Sequence, residues 1–511
     1  MRAFFLFIFL LISINASAQY TDRYWAFGDS AGIDFKNISN PQPASSILRV
    51  RGSCASICDS LGDLLFYCGS PNWQLWMNGS VPGPEAFRYG MVINKNHQVM
   101  QSGDSLATLL WYQEMMIVPM PDNDSLFYIF CGGVVDPVIG LFYSIVDIKY
   151  NNGQGRVIQR NVQLSTDSIC DGLTATRHGN GRDWWVVVRP WRGFPTREIF
   201  TYLISPTGVT TYPVQQIGPN VSQSFYRLKF NYDGTHLYNV NYIGSIERYN
   251  FDRCTGILSN RRIYSPQSGP PTGFWGFEVS PAESKLYASL INQTSVGDTA
   301  YILQYDLNAP NFLASADTLA TLTSYDLPGL LELGPDGKIY ISIDWSGPDA
   351  CFDYLYCYSN TNATNSNLSV INFPDSAGIA CDLQLNSFYL GGHKAYFGLP
   401  NNHNYELGAW VGSPCDTLSV GIQNLFPRNG ALKLYYDKSW QTVFINAEEL
   451  KGRKATLQFY NTSGQLIESM QSGVDGGYFS YSSSFASQPD GVYIVRLQTE
   501  KELLIGKFVK W

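Results

Sequence analysis

Pro335-Asp336-Gly337-Lys338-Ile339-Tyr340-Ile341-Ser342 reads as a tight turn followed by a β-branched and aromatic strand. The same pairing recurs along the chain. Leu61-Gly62-Asp63 precedes Leu64-Leu65-Phe66-Tyr67, and Asp122-Asn123-Asp124 precedes Leu126–Phe130. Asn180-Gly181-Arg182-Asp183 precedes Trp184–Val188, Asp233-Gly234-Thr235 precedes Leu237–Val240, and Pro281-Ala282-Glu283-Ser284 precedes Leu286–Ser289. A weaker copy, Gly391-Gly392-His393, precedes Ala395-Tyr396-Phe397. The copies lie about 50 to 60 residues apart, the size of a four-stranded blade with its loops. A further strand follows at a similar offset in three of them, at Glu247–Asp252, Ile302–Leu307 and Leu355–Ser359. Seven copies predict an all-β chain whose residues 19–420 form a seven-bladed β-propeller, with Tyr24–Phe27 completing the last blade. Ring closure would leave no exposed sheet edge. A two-sheet sandwich would not account for seven copies at this spacing.

Composition agrees with strands and tight turns. Aromatic residues make up 14% of the chain, Tyr alone numbers 33, and there are 46 Gly. Hydrophobic residues, at 45%, suffice for a packed core. Net charge is −8 and no basic patch appears, so no nucleic-acid footprint is present.

Both termini carry export signals. Met1-Arg2 is a positive start, Ala3 to Ile14 is almost wholly apolar, and Ala16-Ser17-Ala18 is a cleavage signal. Residues 1–18 therefore read as a signal peptide, with Gln19 as the mature N-terminus. No later run reaches eighteen apolar residues, so no transmembrane segment is expected. At the other end, residues 421–511 hold the strand Ala455–Tyr460, the turn Asn461-Thr462-Ser463-Gly464-Gln465, the turn and strand Gln488–Leu497 and a last strand Gly506–Trp511. This module resembles the C-terminal sorting domain of type IX secretion, with Gly464, Gly491, Tyr493, Lys507 and Lys510 at the family's motif positions. It departs from the pattern at the domain entry, where Phe426-Pro427-Arg428-Asn429-Gly430 replaces the usual Asn-Pro. The resemblance implies a small Ig-like β-sandwich, the type IX translocon as partner, and passage through the periplasm to the cell surface or the medium.

The body of the chain carries a second resemblance. Trp25-Ala26-Phe27-Gly28, Ala31–Phe35, Cys54-Ala55-Ser56-Ile57, Asn94–Met100, His178–Trp185 and Leu333–Tyr340 resemble a group of exported bacterial propellers of lactonase-like and WD40-like type. The likeness covers residues 24–400. It is interrupted between Cys68 and Tyr89 by an extra loop.

Local chemistry is sparse. Gly28-Asp29-Ser30-Ala31-Gly32 fits G-x-S-x-G, but Ile33-Asp34-Phe35 continues as strand and no α/β alternation supports a nucleophile elbow, so a tight turn is expected. His97, His178, His236, His393 and His403 form no local metal pair. His97 and His178 sit beside turns, where they suit backbone hydrogen bonding. Asp122-Asn123-Asp124 lacks the Gly and Glu of a calcium loop and reads as a blade turn. Cys54 and Cys68 lie symmetrically about Leu61, so a hairpin centred there would set them opposite each other. They are either a disulfide worth about 3 kcal/mol or two buried thiols. Trp73 and Trp76, in the extra loop, and Trp191 lie beside Asn, Gln and Arg and are the candidate glycan- or protein-binding residues. Asp followed by Ser or Thr and a small or aliphatic residue recurs from Ser30 to Thr417, and resembles an O-glycosylation signal. No catalytic residue, metal or cofactor is assigned. The preferred expectation is a secreted or cell-surface, non-enzymatic binding propeller. The alternative is an extracellular hydrolase or lyase acting at the channel, which should gather several Asp, Glu, Asn or His at one mouth.

Overall fold

The computed structural model describes residues 21–70, 90–108, 112–133, 138–169, 171–191, 196–221, 226–265, 272–292, 299–322, 325–345, 361–416, 432–448, 450, 454–461, 465–474, 477–499 and 503–510. The chain divides into two compact units between Asp416 and Thr417. In the first unit, strands pair almost entirely with their sequence neighbours. β1 (Tyr24–Phe27), β2 (Asp29–Asp34) and β3 (Gln42–Arg49) form one sheet, and β4 (Cys54–Cys58), β5 (Leu64–Gly69) and β6 (Met91–Asn94) the next. The third holds β7 (Met115–Pro119), β8 (Leu126–Gly133), β9 (Gly140–Asp147) and β10 (Arg156–Ser165). The fourth holds β11 (Leu173–Arg177), β12 (Trp184–Val188), β13 (Thr196–Ser205), β14 (Gly208–Thr211) and β15 (Gln215–Val221). The fifth comprises β16 (Tyr226–Phe230), β17 (His236–Asn241), β18 (Ile246–Asp252) and β19 (Ile257–Ser265). β20 (Thr272–Val279), β21 (Lys285–Asn292), β22 (Thr299–Asp306) and β23 (Asp317–Leu322) make the sixth. β24 (Asp326–Leu333), β25 (Ile339–Trp345), β26 (Asn367–Ile371) and β27 (Leu383–Tyr389) make the seventh.

Burial follows position within each sheet. The first strands β4, β7 and β11 are almost wholly buried, whereas the last strands β10 and β27 are largely exposed. First strands of consecutive sheets touch one another from β1 through to β24. The first and last sheets also meet: Trp25 and Phe35 lie edge-on to Tyr340, with ring centroids 5.6 and 5.5 Å apart. Meander sheets set radially with their first strands innermost are the architecture of a β-propeller.

The recurring turns connect first to second strands, as at Asp59–Asp63, Asp122–Ser125, Asn231–Thr235 and Gly334–Lys338. Their Asx side chains hold them: Asp59 Oδ1 accepts the amides of Leu61 and Asp63, and Asn123 Oδ1 those of Ser125 and Leu126. Gly28, with φ +59°, makes the turn between β1 and β2, and Asp29 and Ser30 already belong to β2. The expected strands at Glu247–Asp252 and Ile302–Leu307 fall on β18 and β22; Leu355–Ser359 lies outside the described residues.

Two expectations are corrected. Tyr24–Phe27 does not complete the last sheet, because its ladder is filled by β2 and it opens a sheet of its own. Gly391–Phe397 is not a blade repeat; Ala395–Phe397 leaves the sheets and enters the ring.

In the second unit, β28 (Leu432–Asp437), β29 (Thr442–Ala447) and β32 (Phe479–Ser484) form one antiparallel sheet. β31 (Leu466–Gly473), β30 (Lys454–Asn461), β33 (Gly491–Thr499) and β34 (Leu503–Lys510) form the other. Alternate residues of both, among them Val443, Ile445, Leu457, Phe459, Val495 and Leu497, fill one shared core, which makes the unit a β-sandwich.

Candidate functional site

The centre of the ring is occupied by the chain's own residues 394–405, which continue as 406–416 toward the outside. This strap runs past every sheet. Asp29 N–H of the first sheet donates to Lys394 O at 2.8 Å. Phe397 O accepts from Leu330 N–H at 2.6 Å and from the Ser342 hydroxyl at 2.7 Å, both in the seventh sheet. Trp275 of the sixth sheet stacks on the Phe397 ring at 5.3 Å. Asn401 N–H donates to Cys54 O of the second sheet, and its side-chain amide to Met115 O and Leu173 O of the third and fourth. Asn404 Nδ2 donates to Tyr232 O, after β16 of the fifth sheet, and Tyr405 hydroxyl to Ile117 O. Beyond the ring, Arg253 Nη2 donates to Gly408 O and Trp410 N–H to Gly179 O. A disulfide between Cys254 and Cys415 then pins the end of the strap, closing a sequence separation of 161 residues. The close passage requires glycines: a Cβ at Gly329 would strike Phe397 O, and one at Gly398 would strike Gly52.

Where the strap leaves the ring it walls a cavity of about 260 Å³ with Asp22, Lys229, Glu278 and Glu332. The Lys229 ammonium lies 2.5 Å from Glu278 Oε2 and 2.6 Å from Glu332 Oε2 and donates to Leu331 O at 3.0 Å. Burial works against the lysine's charge, but the two carboxylates outweigh it and keep Lys229 protonated. One cation cannot neutralise both partners, and burial holds the Glu332 carboxyl well above its usual range. Burial also raises Asp22 to about 7, although Trp25 Nε1 and Asn402 Nδ2 donate to it. His403 goes the other way: burial takes it down to about 3, so its ring is neutral, packed on Trp184 at 5.0 Å and Tyr405 at 4.2 Å. The acids at this mouth come from Asp22 before β1, from β20 and β24 and from the strap; only their spatial convergence marks them, since no local motif does.

The histidines near turns serve the fold. His178 Nδ1 accepts Asn180 N–H, so Nε2 carries the proton and donates to Cys254 O at 2.9 Å. His97 Nδ1 meets the Tyr67 hydroxyl at 2.9 Å. Of the two readings of Cys54 and Cys68, the structure has the two buried thiols and not the bridge. A bulge at Ile57/Cys58 shifts the hairpin by one residue, pairing Cys54 with Gly69 and Ala55 with Cys68. The two thiols therefore face opposite sides of the sheet and enter different cores, both free. The pair that does form, Cys254–Cys415, had no sequence signal beyond an even count. Of the described Ser/Thr signal positions, Ser60 and Thr318 are exposed, and Ser125 is buried.

Trp73 and Trp76 lie outside the described residues, as do Ala16, Ala18, Gln19 and Gly464. Trp191 is half-buried, its N–H donating to Ser168 O at 2.7 Å. Residues 71–89 and 192–195 connect second to third strands, in β5–β6 and β12–β13.

In the second unit, three motif residues meet at the turn before β33. Tyr493 hydroxyl donates to Pro489 O at 2.6 Å; Lys510 Nζ, buried, donates to Gln488 O and lies 3.8 Å from Asp490. Gly491 pairs with Lys510 in register, while Lys507 is exposed opposite Ile494.

No protein-family model and no curated protein matches the chain. Among solved structures it is similar to a putative 6-phosphogluconolactonase from Bacteroides fragilis, at 13% identity over 76% of this chain and 93% of that one, with TM-score 0.35. It is also similar to a GH43B protein of the Bacteroides ovatus xyloglucan locus, at 10% identity over 78% and 90%, with TM-score 0.31, and to the Dos1 propeller, at 9% over 64% and 92%, with TM-score 0.36.

Proposed function

We propose that the chain is an exported, seven-bladed β-propeller cargo of type IX secretion that binds a glycan or protein through its loop-bearing end, without catalysis. The strap carries this reading. Residues 394–405 run through the ring and bond to one sheet after another, so the recognition surface is assigned to the loops rather than to the channel. Seven sheets among the described residues of the first unit support the blade count. The Gly491–Tyr493–Lys510 cluster supports reading residues 421–511 as an Ig-like sorting domain recognised by the translocon. Glycan arrays and cell-surface pull-downs with the full mature chain test the binding. The triple change Trp73→Ala, Trp76→Ala, Trp191→Ala is expected to abolish capture while leaving Tm unchanged; unaltered capture defeats the assignment.

A second reading, an extracellular hydrolase or lyase, is favoured by one observation. Asp22 and Glu332, whose carboxyls burial raises above their usual range, face a cavity at the strap's exit. Turnover of lactones or aryl glycosides that Asp22→Asn removes would establish it in place of the first.

A further inference from the structure

The second unit carries aromatic rings that its core does not use. One side of the sheet β28–β29–β32 packs Tyr436, Val443, Ile445 and Phe479 into the sandwich. Register lays out the other side in rows. Tyr435, Phe444 and Ser482 lie abreast, with Asp437, Thr442 and Ser484 in the row to one side and Lys433, Asn446 and Ser480 in the row to the other. Strand alternation turns all of them away from the core.

The rings are held without being covered. Trp440 is 72% exposed and Tyr435 63%. The half-buried Phe444 lies between them, its ring centroid 6.4 Å from that of Tyr435 and 6.3 Å from that of Trp440. Asp437 Oδ1 accepts the N–H groups of Ser439 and Trp440 at 2.9 and 3.2 Å, and the Thr442 hydroxyl donates to Trp440 O at 2.9 Å. The turn that presents Trp440 is therefore fixed by its own side chains. Beside the rings, Ser480, Ser482 and Ser484 form an exposed file of hydroxyls along β32. Asn446 follows, with the Tyr478 hydroxyl donating to its Oδ1 at 3.3 Å. The charges on the face are accounted for: Lys433 pairs with Glu448 at 3.0 Å, and Asp437 holds the turn. A contiguous exposed apolar patch with a polar rim marks a binding surface, whereas scattered exposed side chains do not.

We propose that this face binds a neutral polysaccharide, its pyranose rings lying on Trp440, Phe444 and Tyr435 and its hydroxyls bonding to the serine file. The C–H groups on one side of a pyranose suit the negative face of an aromatic ring, and sugar hydroxyls donate and accept as serines do. Paired charges match an uncharged occupant. Size and composition disfavour a protein or a second copy of this chain. Three strands and three rows span roughly 10 by 14 Å, far short of the about 800 Å² per partner that a stable protein interface needs. Serine, which fills a whole strand of the face, is depleted from protein interfaces. Every residue involved lies in the second unit, so the inference is independent of the loop reading.

The test is affinity electrophoresis of the full chain in native gels containing hydroxyethylcellulose, galactomannan or dextran, with polygalacturonate as the anionic control. The background is the triple variant Trp73→Ala, Trp76→Ala, Trp191→Ala, which removes capture by the propeller loops. Retardation by at least one neutral polymer, and not by polygalacturonate, is expected in that background. Trp440→Ala and Tyr435→Ala should each weaken it about tenfold or more. Both side chains are exposed, so Tm should stay within a degree or two of the parent; Ser482→Lys, also exposed, should weaken retardation with Tm equally unmoved. Absence of retardation by all three neutral polymers, equal retardation by polygalacturonate, or retardation undiminished by Trp440→Ala overturns the proposal. So does self-association in sedimentation that Trp440→Ala removes while no polymer retards the chain, which would give the face to a second copy.

Discussion

The blades and the strap are both buried, yet they satisfy their backbones in opposite ways. A blade strand such as β17 pairs residue by residue with β16 and β18, so one ladder serves every group. The strap has no ladder. Lys394, Phe397, Gly398, Asn401 and Tyr405 each find a separate partner on a different part of the ring. A ladder tolerates local change because its neighbours share the register, whereas a chain fixed contact by contact depends on each fitting position.

That contrast orders the expected effects. The largest belongs to the glycines that let the strap pass. Gly398→Val or Gly329→Ala places atoms on Gly52 or on Phe397 O, and should cost about 4 kcal/mol or more, read as loss of soluble folded protein. Next is the disulfide. Cys254→Ser should lower stability by about 3 to 5 kcal/mol in denaturant melts, since the bridge closes so long a loop. A similar loss of about 3 to 5 kcal/mol is expected for Lys229→Met, which strands two buried carboxylates; adding Glu278→Gln and Glu332→Gln should recover much of it.

A smaller effect depends on pH. The folded state holds the Asp22 proton to about 7 against an ordinary 3.8. Asp22 therefore costs stability progressively as pH rises from about 4 to 7, with the full cost present above 7. Asp22→Asn should raise Tm by a few degrees at pH 8, with the gain more than halved at pH 5 and gone below pH 4; a gain equal at pH 8 and pH 5 would contradict the assignment. The smallest effect lies on a blade turn. Gly337 has φ +78° with open space around it, so Gly337→Asn should cost under about 1 kcal/mol.

The same contrast explains what was legible. Turn-plus-strand repeats exposed the blades because period and Asx chemistry are local: Asp59, Asn123 and Asp336 each hold a turn through their own side chain. Ala395-Tyr396-Phe397 follows Gly391-Gly392 and has a blade strand's composition, but its partners lie on other sheets, which no local pattern records. Cys54 and Cys68 stayed open between a bridge and two buried thiols for a related reason, because the one bulged residue that sets them on opposite faces leaves no mark in the sequence. The cavity beside Lys229 joins residues hundreds of positions apart, so it could not be read along the chain. In the second unit, the hairpin of β33 and β34 sets Gly491 opposite Lys510, so residues far apart in the sequence share one register.

The most direct test of the strap is peptide mapping by mass spectrometry of the unreduced full chain. A linked peptide pair containing Cys254 and Cys415, with Cys54 and Cys68 recovered as free thiols, is the expected result. A Cys54–Cys68 link, or Cys415 free or joined elsewhere, would contradict a strap fastened through the ring.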